Sequence, residues 1–344
     1  MKEQLGVALV GCGMVAPVFM AALKEIPEVQ IRGVWSRSVE KAKTFAAKYS
    51  IGCYQSYEGL LADPGVHIAI VCTPPGFHVD CGLKAAAARK HLIVEKPIDV
   101  SLSKAQALIE SCRKNRVKLS VIFQNRFTSG AKKMKKAIDE GMLGRLILGD
   151  GYVKWHRSPD YYASNAWRGT QAIEGGGALI NQAIHTIDLL QWLMGGVKTV
   201  IGLTRTSIHH IETEDLGVAV VEFINGALGV IEGSTAIQPG FKERVEIHGQ
   251  KGSIILEGGN IKEWKVEGCR EEDYVDQQKV SYGSTHSPAI SYANHKAQLE
   301  EIIDSIQNDK EPLVNGEEGL KSLEIVLGIY ESSRKKGPVV IGAD

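Results

Sequence analysis

The sequence predicts an α/β fold in two domains. Residues 1–125 should form an N-terminal doubly wound parallel sheet. Residues 126–344 should form a C-terminal α+β domain with a large open, mostly antiparallel sheet. Three observations lead there. Short apolar runs alternate with helix-length spacers through the first 125 residues, a glycine-rich turn follows the first run, and from about residue 216 strand patterns follow one another with only tight turns between them. The length of 344 residues also suits two domains of roughly 100–200 residues each.

Taken in order, strand-length apolar runs lie at Val7–Val10, Ile31–Trp35, His67–Cys72, His91–Val94 and Lys118–Phe123, with a shorter one at Gly52–Tyr54. Helical stretches fall near 15–26, 38–48, 78–89 and 101–115. Strands that are apolar throughout imply a sheet covered on both faces, and crossovers of this length imply parallel βαβ units. The second half opens with a lysine-rich helix near 129–140 and a strand over Gly149–Arg157. A long apolar helix then runs from about Ala178 to Met194. Strand patterns follow at Leu216–Ile224 and Ala227–Ala236, joined by the hairpin pair Asn225-Gly226, and then at Arg244–His248, Ser253–Glu257 and Ile261–Val266. Helices near 291–308 and 316–336 complete the chain.

Composition narrows the function. Forty basic and forty acidic residues cancel, so the electrostatic footprint of a nucleic-acid binder is missing. Lys132, Lys133, Lys135 and Lys136 then read as a solvated helix face. No apolar run reaches the ~18 residues of a membrane span, and the N-terminus lacks a secretory pattern. Six scattered cysteines without a CxxC pair read as reduced thiols, which points to a cytoplasmic protein.

The first strand runs into Gly11-Cys12-Gly13-Met14-Val15-Ala16, a GxGxxA turn opening a helix. Gly11 permits the tight turn, Gly13 permits close approach of a pyrophosphate, and Ala16 lets the helix pack on the strand. The helix N-terminus supplies N–H donors and a favourable dipole. The pattern is that of a Rossmann dinucleotide-binding domain. The second strand ends in Trp35-Ser36-Arg37-Ser38, where an NAD-binding chain usually has a carboxylate for the ribose 2′-OH. Arg37 with flanking hydroxyls suits a 2′-phosphate, which favours NADP(H) over NAD(H). An ordinary solvated arginine beside NAD is the alternative.

Ligands of open α/β sheets sit at the carboxyl ends of the strands. The relevant ends here are Thr73-Pro74-Pro75, followed by His78; Glu95-Lys96-Pro97; and Gln124-Asn125-Arg126. Lys96 is the foremost catalytic candidate among them, and the bond to Pro97 is expected to be cis. In the second half, Asn181, His185, Asp188 and Trp192 recur at i, i+4, i+7 and i+11 on a helix otherwise apolar. Such a stripe either forms a satisfied internal network or lines a site, and its histidine, a residue type that titrates near neutral pH, favours the site. No HExxH motif or Cys/His cluster is present, so no metal is expected. The adjacent His209 and His210 read as loop residues.

With these motifs in place the sequence resembles the glucose–fructose oxidoreductase / inositol 2-dehydrogenase / MocA family. The shared features are the glycine loop, Thr73-Pro74-Pro75, Glu95-Lys96-Pro97, the triplet Gly175-Gly176-Gly177, the helix carrying His185 and Asp188, and the segments Pro312-Leu313-Val314 and Glu317-Glu318-Gly319-Leu320. The resemblance implies hydride transfer between nicotinamide and a ring carbinol or ketone of a sugar, glycoside, nucleotide sugar or cyclitol. It also implies a dimer or tetramer formed through the open sheet. It implies a Lys–Asp–His constellation, of which Lys96 and His185 match while Asn181 stands where the family has Asp. His185 is the expected general base, and Lys96 stabilises the alkoxide. The change at Asn181 shifts weight to His185 and Asp188, and it resembles the subgroup acting on glycosides or nucleotide sugars, often at the pyranose 3-position.

The expected coenzyme contacts are Gly11, Cys12, Gly13, Met14, Val15, Ser36, Arg37, Thr73, Pro74, Pro75, His78, Glu95, Lys96, Gln124, Trp167 and Arg168. The expected substrate contacts are Lys96, Arg126, Lys154, His156, Arg157, Tyr162, Asn181 and His185, with Tyr161 and Trp167 able to stack on a sugar. Two other functions use the same residues. One is glycoside processing through a transient oxidation by bound NAD. The other is a non-catalytic NADP(H)-binding regulator.

Overall fold

The structure is a computed structural model that describes residues 4–275 and 291–342. It divides into two compact units, one of Met1–Gln124 with Ser291–Leu320, the other of Asn125–Ile290 with Lys321–Asp344.

The first unit carries strands β1 (Leu5–Val10), β2 (Val29–Trp35), β3 (Gly52–Cys53), β4 (Ile68–Val71), β5 (His91–Val94) and β6 (Leu119–Val121). Helices α1 (Ala16–Leu23), α2 (Val39–Tyr49), α3 (Tyr57–Ala62), α4 (His78–Ala87) and α5 (Leu102–Asn115) connect them. The sheet order is β3-β2-β1-β4-β5-β6 and every pairing is parallel. The doubly wound sheet is therefore present, and its order reverses between β1 and β4, at the glycine turn. Ser38, Ser56 and Ser101 start α2, α3 and α5 by accepting from Lys41, Gly59 and Lys104 N–H groups. The short α3 was not foreseen, although Ser56 stands at its N-cap.

A later helix, α9 (Ala293–Gln307), also belongs to this unit. Its Leu299, Ile302 and Ile303 recur at helical spacing and join the core around Phe19, Met20 and Ile122. The fully buried Gln298 accepts from Phe123 N–H (3.1 Å) and donates to the Val121 carbonyl (2.8 Å), capping the end of β6. The Ser120 hydroxyl donates to Val314 O at 2.9 Å. These contacts are why 291–320 packs here, whereas the sequence boundary had placed everything after 125 in the second domain.

The second unit contains α6 (Ser129–Asp139), β7 (Leu146–Lys154), α7 (Pro159–Ala163), a π-helical turn (Ala178–Ala183) running into α8 (Ile184–Met194), and strands β8 (Val197–Arg205), β9 (Leu216–Phe223), β10 (Leu228–Ser234), β11 (Arg244–Gly249), β12 (Gly252–Glu257) and β13 (Asn260–Val266). Helix α10 (Gly316–Lys335) and strand β14 (Val339–Val340) close the chain. The eight-stranded sheet has the order β13-β12-β11-β7-β10-β9-β8-β14 and is antiparallel except between β7 and β10. Strand β8, which alternates buried and exposed residues along much of its length, was not foreseen.

Glycines on the inner face of this sheet let the helices lie close. A Cβ on Gly149 would meet Met194 at 2.7 Å, on Gly217 or Gly233 it would meet Leu179 at 2.6 or 2.7 Å, and on Gly202 it would meet Ile329 at 2.7 Å. The opposite face exposes Ile201, Leu203, Val218, Val220 and Leu228. Ile201 pairs with Val220 and Leu203 with Val218, so these side chains form one apolar patch. Among the described residues, no helix is long and apolar enough to cross a membrane, and no group of three His, Cys, Asp or Glu side chains could hold a metal ion.

Candidate active site

In the first unit, strand β1 delivers the chain into the glycine turn. Gly11 has φ of +109°, and a Cβ there would lie 2.8 Å from the Cys72 carbonyl, so both conformation and space require glycine. Gly13 differs. Its nearest neighbour for a Cβ is Cys72 O at 3.9 Å, and the residue is exposed. The fold does not require glycine at 13; the bare backbone leaves room for a phosphate to approach. Cys12 and Val15 are half-buried beside it and Met14 is 64% exposed. Val15 provides no side-chain cap for α1, which suits a helix start that serves an anion.

At the end of β2, Ser36 is half-buried and Arg37 is exposed. The Arg37 guanidinium lies over the Phe77 ring at 4.4 Å. That contact holds the cation beside the Pro75–Phe77 turn that follows Thr73 and Pro74. Ser38 is occupied in capping α2.

The next three strand ends share one property. Thr73 Oγ1 after β4, Glu95 Oε1 after β5 and Gln124 Oε1 after β6 are buried and have no hydrogen-bond partner among the described residues. Leaving a buried polar atom unsatisfied costs about 1–3 kcal/mol, and these three lie on adjacent strands beside Lys96. Burial raises the Glu95 carboxyl to about 7, against the pull of the Lys96 ammonium and of the Lys96 N–H that donates to Oε2 at 3.2 Å. An edge of unsatisfied polar atoms next to a phosphate-ready turn fits a dinucleotide whose nicotinamide end has hydroxyls and an amide to offer.

His78 takes a different part from the one its sequence position implied. It is 1% exposed, and its ring nitrogens lie 2.8 Å from the carbonyls of Pro97 and Thr73. Burial lowers it to about 4; the two carbonyls oppose that shift and nearby Lys96 adds to it. The neutral ring donates to one of these two carbonyls, so His78 packs between the Thr73 turn and the segment after Lys96 and braces that edge. The Lys96–Pro97 bond is cis, as expected.

In the second unit, the helix bearing the polar stripe starts at the glycine triplet. The Glu214 carboxylate, raised by burial, accepts from Gly177 N–H (2.9 Å), Leu179 N–H (2.8 Å) and the Tyr330 hydroxyl (2.8 Å). A carboxylate from another element thus caps the helix start. Residues 178–183 wind as a π-helix before α8 begins, a rare distortion that frequently marks functional sites. Asn181 lies in this π-helical segment and His185 in the first turn of α8, both half-buried. Asn181 Nδ2 donates to the carboxylate of Glu174, which is 1% exposed and also accepts from Gly169 N–H.

The stripe divides at His185. Asp188 was expected to assist catalysis and Arg126 to bind substrate, but they bind each other inside the protein. Nε meets Oδ2 at 2.8 Å and Nη2 meets Oδ1 at 2.7 Å, with side-chain exposures of 0% and 1%. The Arg126 guanidinium also lies 5.3 Å from the Trp192 ring centre. The lower half of the stripe is the satisfied network, and the upper half remains available for chemistry.

Around that upper half lies a cluster of rings and guanidinium groups. Buried Arg157 donates to Gln182 Oε1 at 3.0 Å, and Gln182 Nε2 donates to the Tyr161 hydroxyl at 2.8 Å. Arg168 donates to the same hydroxyl and stacks over Tyr161 (4.1 Å) and Trp167 (4.8 Å). Arg157 faces Trp155 at 4.9 Å, and the buried Trp155 Nε1 has no hydrogen-bond partner among the described residues. Half-buried His156 bridges to Ala236. The Tyr162 hydroxyl and Thr235 Oγ1 share a hydrogen bond at 2.7 Å.

Lys154 is another correction. Strand alternation turns it to the sheet face opposite α8, where it pairs with Glu232 at 2.9 Å. His209, read as a loop residue, is buried: Nδ1 meets Asp215 Oδ2 at 3.0 Å and Nε2 meets Arg157 O at 2.9 Å. It holds the backbone of the arginine that enters the cluster. Glu174 and Gln182 were missed, since an acid before a glycine triplet and a glutamine on an apolar helix carry no pattern of their own.

Known proteins share this architecture. Residues 5–123 match the Gfo/Idh/MocA oxidoreductase family, NAD-binding Rossmann fold, and residues 135–341 match its C-terminal alpha/beta domain. The chain is 25% identical over 344 residues to the myo-inositol 2-dehydrogenase of Thermotoga maritima, covering 97% of both chains. It is 26% identical over 291 residues to the levoglucosan dehydrogenase of Pseudarthrobacter phenanthrenivorans, covering 74% of each. The crystal structure of the Bordetella pertussis WlbA dehydrogenase with NADH and UDP-GlcNAcA superposes with a TM-score of 0.88 at 28% identity, over 99% of this chain and 100% of that one. With both family domains matched in order along nearly its whole length, the chain belongs to the Gfo/Idh/MocA oxidoreductase family.

Proposed function

We propose that this oxidoreductase is an NAD(P)-dependent dehydrogenase acting on a ring secondary alcohol, or the matching ketone, of a sugar, glycoside, nucleotide sugar or cyclitol. The observation that carries the reading is the buried, unsatisfied edge of Thr73 Oγ1, Glu95 Oε1 and Gln124 Oε1 beside Lys96. The activities of relatives on myo-inositol and levoglucosan support the substrate class.

The glycine turn would hold the pyrophosphate, and the three strand ends would hold the nicotinamide riboside. When bound, the coenzyme supplies hydride acceptance or donation. His185 takes the proton of the reacting hydroxyl, and Lys96 stabilises the alkoxide as its charge develops. Trp155, Tyr161, Trp167 and Arg168 offer ring faces and donors to the sugar, with Arg157 fixing Gln182 behind them. Asp188, paired with Arg126, has no part in proton transfer.

Arg37 favours NADP(H). Fixed over Phe77, its guanidinium can meet a 2′-phosphate while its other face stacks on adenine. The apolar patch at Ile201, Leu203, Val218, Val220 and Leu228 is the surface through which two copies associate. Free thiols at all six cysteines suit a reducing compartment such as the cytoplasm. Titration with NADPH and NADH, read by coenzyme fluorescence, tests the base of the proposal: saturable binding supports it, and no binding of either coenzyme removes it.

A further inference from the structure

We propose that Glu174 is a positioning residue that supplies, through Asn181, the carboxylate this chain lacks at position 181; the inference rests on the dehydrogenase reading above. Glu174 is fully enclosed, 1% exposed, and its two oxygens are engaged by different donors. The Gly169 N–H donates to Oε2, and Asn181 Nδ2 donates to Oε1. The donor is Asn181 Nδ2 and the acceptor is the Glu174 carboxyl oxygen, so the contact fixes which way the Asn181 amide lies. The NH2 group faces Glu174, and Oδ1 is turned away from it.

The consequence is chemical. An asparagine free to rotate could present either a donor or an acceptor to a reacting hydroxyl or an ammonium group. Locked by Glu174, Asn181 presents an acceptor, as an aspartate would, and the negative charge sits one residue further back. The π-helical turn carries Asn181 four residues before His185, so a change in the amide's direction alters the surroundings of the proposed base. Enclosure in the second unit makes the carboxylate's field stronger than at an exposed position.

The exchange of charge between the two positions is the test. In E174Q the side-chain amide faces the Asn181 NH2 donor to donor, and Asn181 must flip and offer a donor instead. In N181D two carboxylates face each other and must share a proton, so activity falls as the pH rises through that shared titration. In E174Q/N181D the amide at 174 donates to the carboxylate at 181, and an acceptor again faces outward. We expect each single variant to lose about tenfold or more in kcat with little change in coenzyme KM, and the double variant to return to within about threefold of wild type without the acid-shifted profile of N181D.

Losses that simply multiply in the double variant would overturn the proposal. The same cycle is run on urea unfolding midpoints, where reciprocal rescue is again expected and additivity again contradicts it. If wild type oxidises no ring alcohol, the dehydrogenase reading fails by itself, and the unfolding cycle still decides whether the two side chains act as one unit.

Discussion

Arg126 and Asp188 meet in a bidentate ion pair enclosed in the second unit, with contacts of 2.8 and 2.7 Å and almost no exposure. Breaking a buried pair from one side leaves the other charge unpaired and costs about 3–5 kcal/mol. D188A should therefore lower the unfolding free energy by about that amount in urea denaturation, and R126M/D188L should recover much of it. Turnover per folded molecule should change far less than in a variant of His185. A D188A protein as stable as wild type but inactive would return Asp188 to the chemistry.

That pair also shows where sequence alone stops. Its partners stand 62 residues apart, and nothing local in either segment announces the other. The glycine turn was legible because its spacing and its place after a strand are dictated by backbone chemistry. His185 was legible because helical periodicity set it apart from apolar neighbours. His209 and Glu174 were not, since each lies in irregular backbone whose partners are fixed only by the fold. Lys154 misled for a related reason: its strand was recognised, but not the face to which alternation turns it.

Stability of the first unit should depend on pH through groups held away from their ordinary protonation. Burial lowers His295 to about 4, opposed by a backbone hydrogen bond with Ser291, and His78 is lowered alike. The unfolded chain protonates these rings near 6.5, so stability falls as the pH drops from about 6.5 toward 4. Each group contributes about 1.4 kcal/mol per pH unit across that window. H295L should flatten this slope in unfolding curves.

Glu95 acts in the opposite sense. Its carboxyl titrates at about 7 in the folded chain against 4.5 ordinarily, so it removes stability as the pH rises from about 4.5 to 7. E95Q should make the coenzyme-free protein more stable at neutral pH while weakening its hold on NAD(P)H. A variant destabilised at neutral pH would contradict that assignment.

Coenzyme choice should follow Arg37. Loss of a charge-assisted hydrogen bond costs about 1.5–3 kcal/mol, so R37A should weaken NADPH by about tenfold or more beyond the loss of adenine stacking that it shares with NADH. Equal effects on both coenzymes in fluorescence titrations would return Arg37 to the role of a solvated surface residue on Phe77.

Association through the open sheet should yield to charge. Val220 is 51% exposed at the centre of the apolar patch, paired with Ile201 on one side and Val230 on the other. V220K should shift the sedimentation coefficient to that of the monomer. An unchanged oligomer would place the interface elsewhere.

The central claim is that the chain oxidises ring alcohols with His185 as base and Lys96 at the developing alkoxide. The most direct measurement is the rise of reduced-nicotinamide absorbance when coenzyme-loaded wild type, K96M and H185A are mixed with a panel of pyranosides, nucleotide sugars and cyclitols. The account predicts net reduction by wild type with at least one ring alcohol, a loss of about 100-fold or more in each variant, and coenzyme binding retained in both. Wild type that binds coenzyme but shows no net reduction while cleaving a glycoside, or variants as active as wild type, would contradict it.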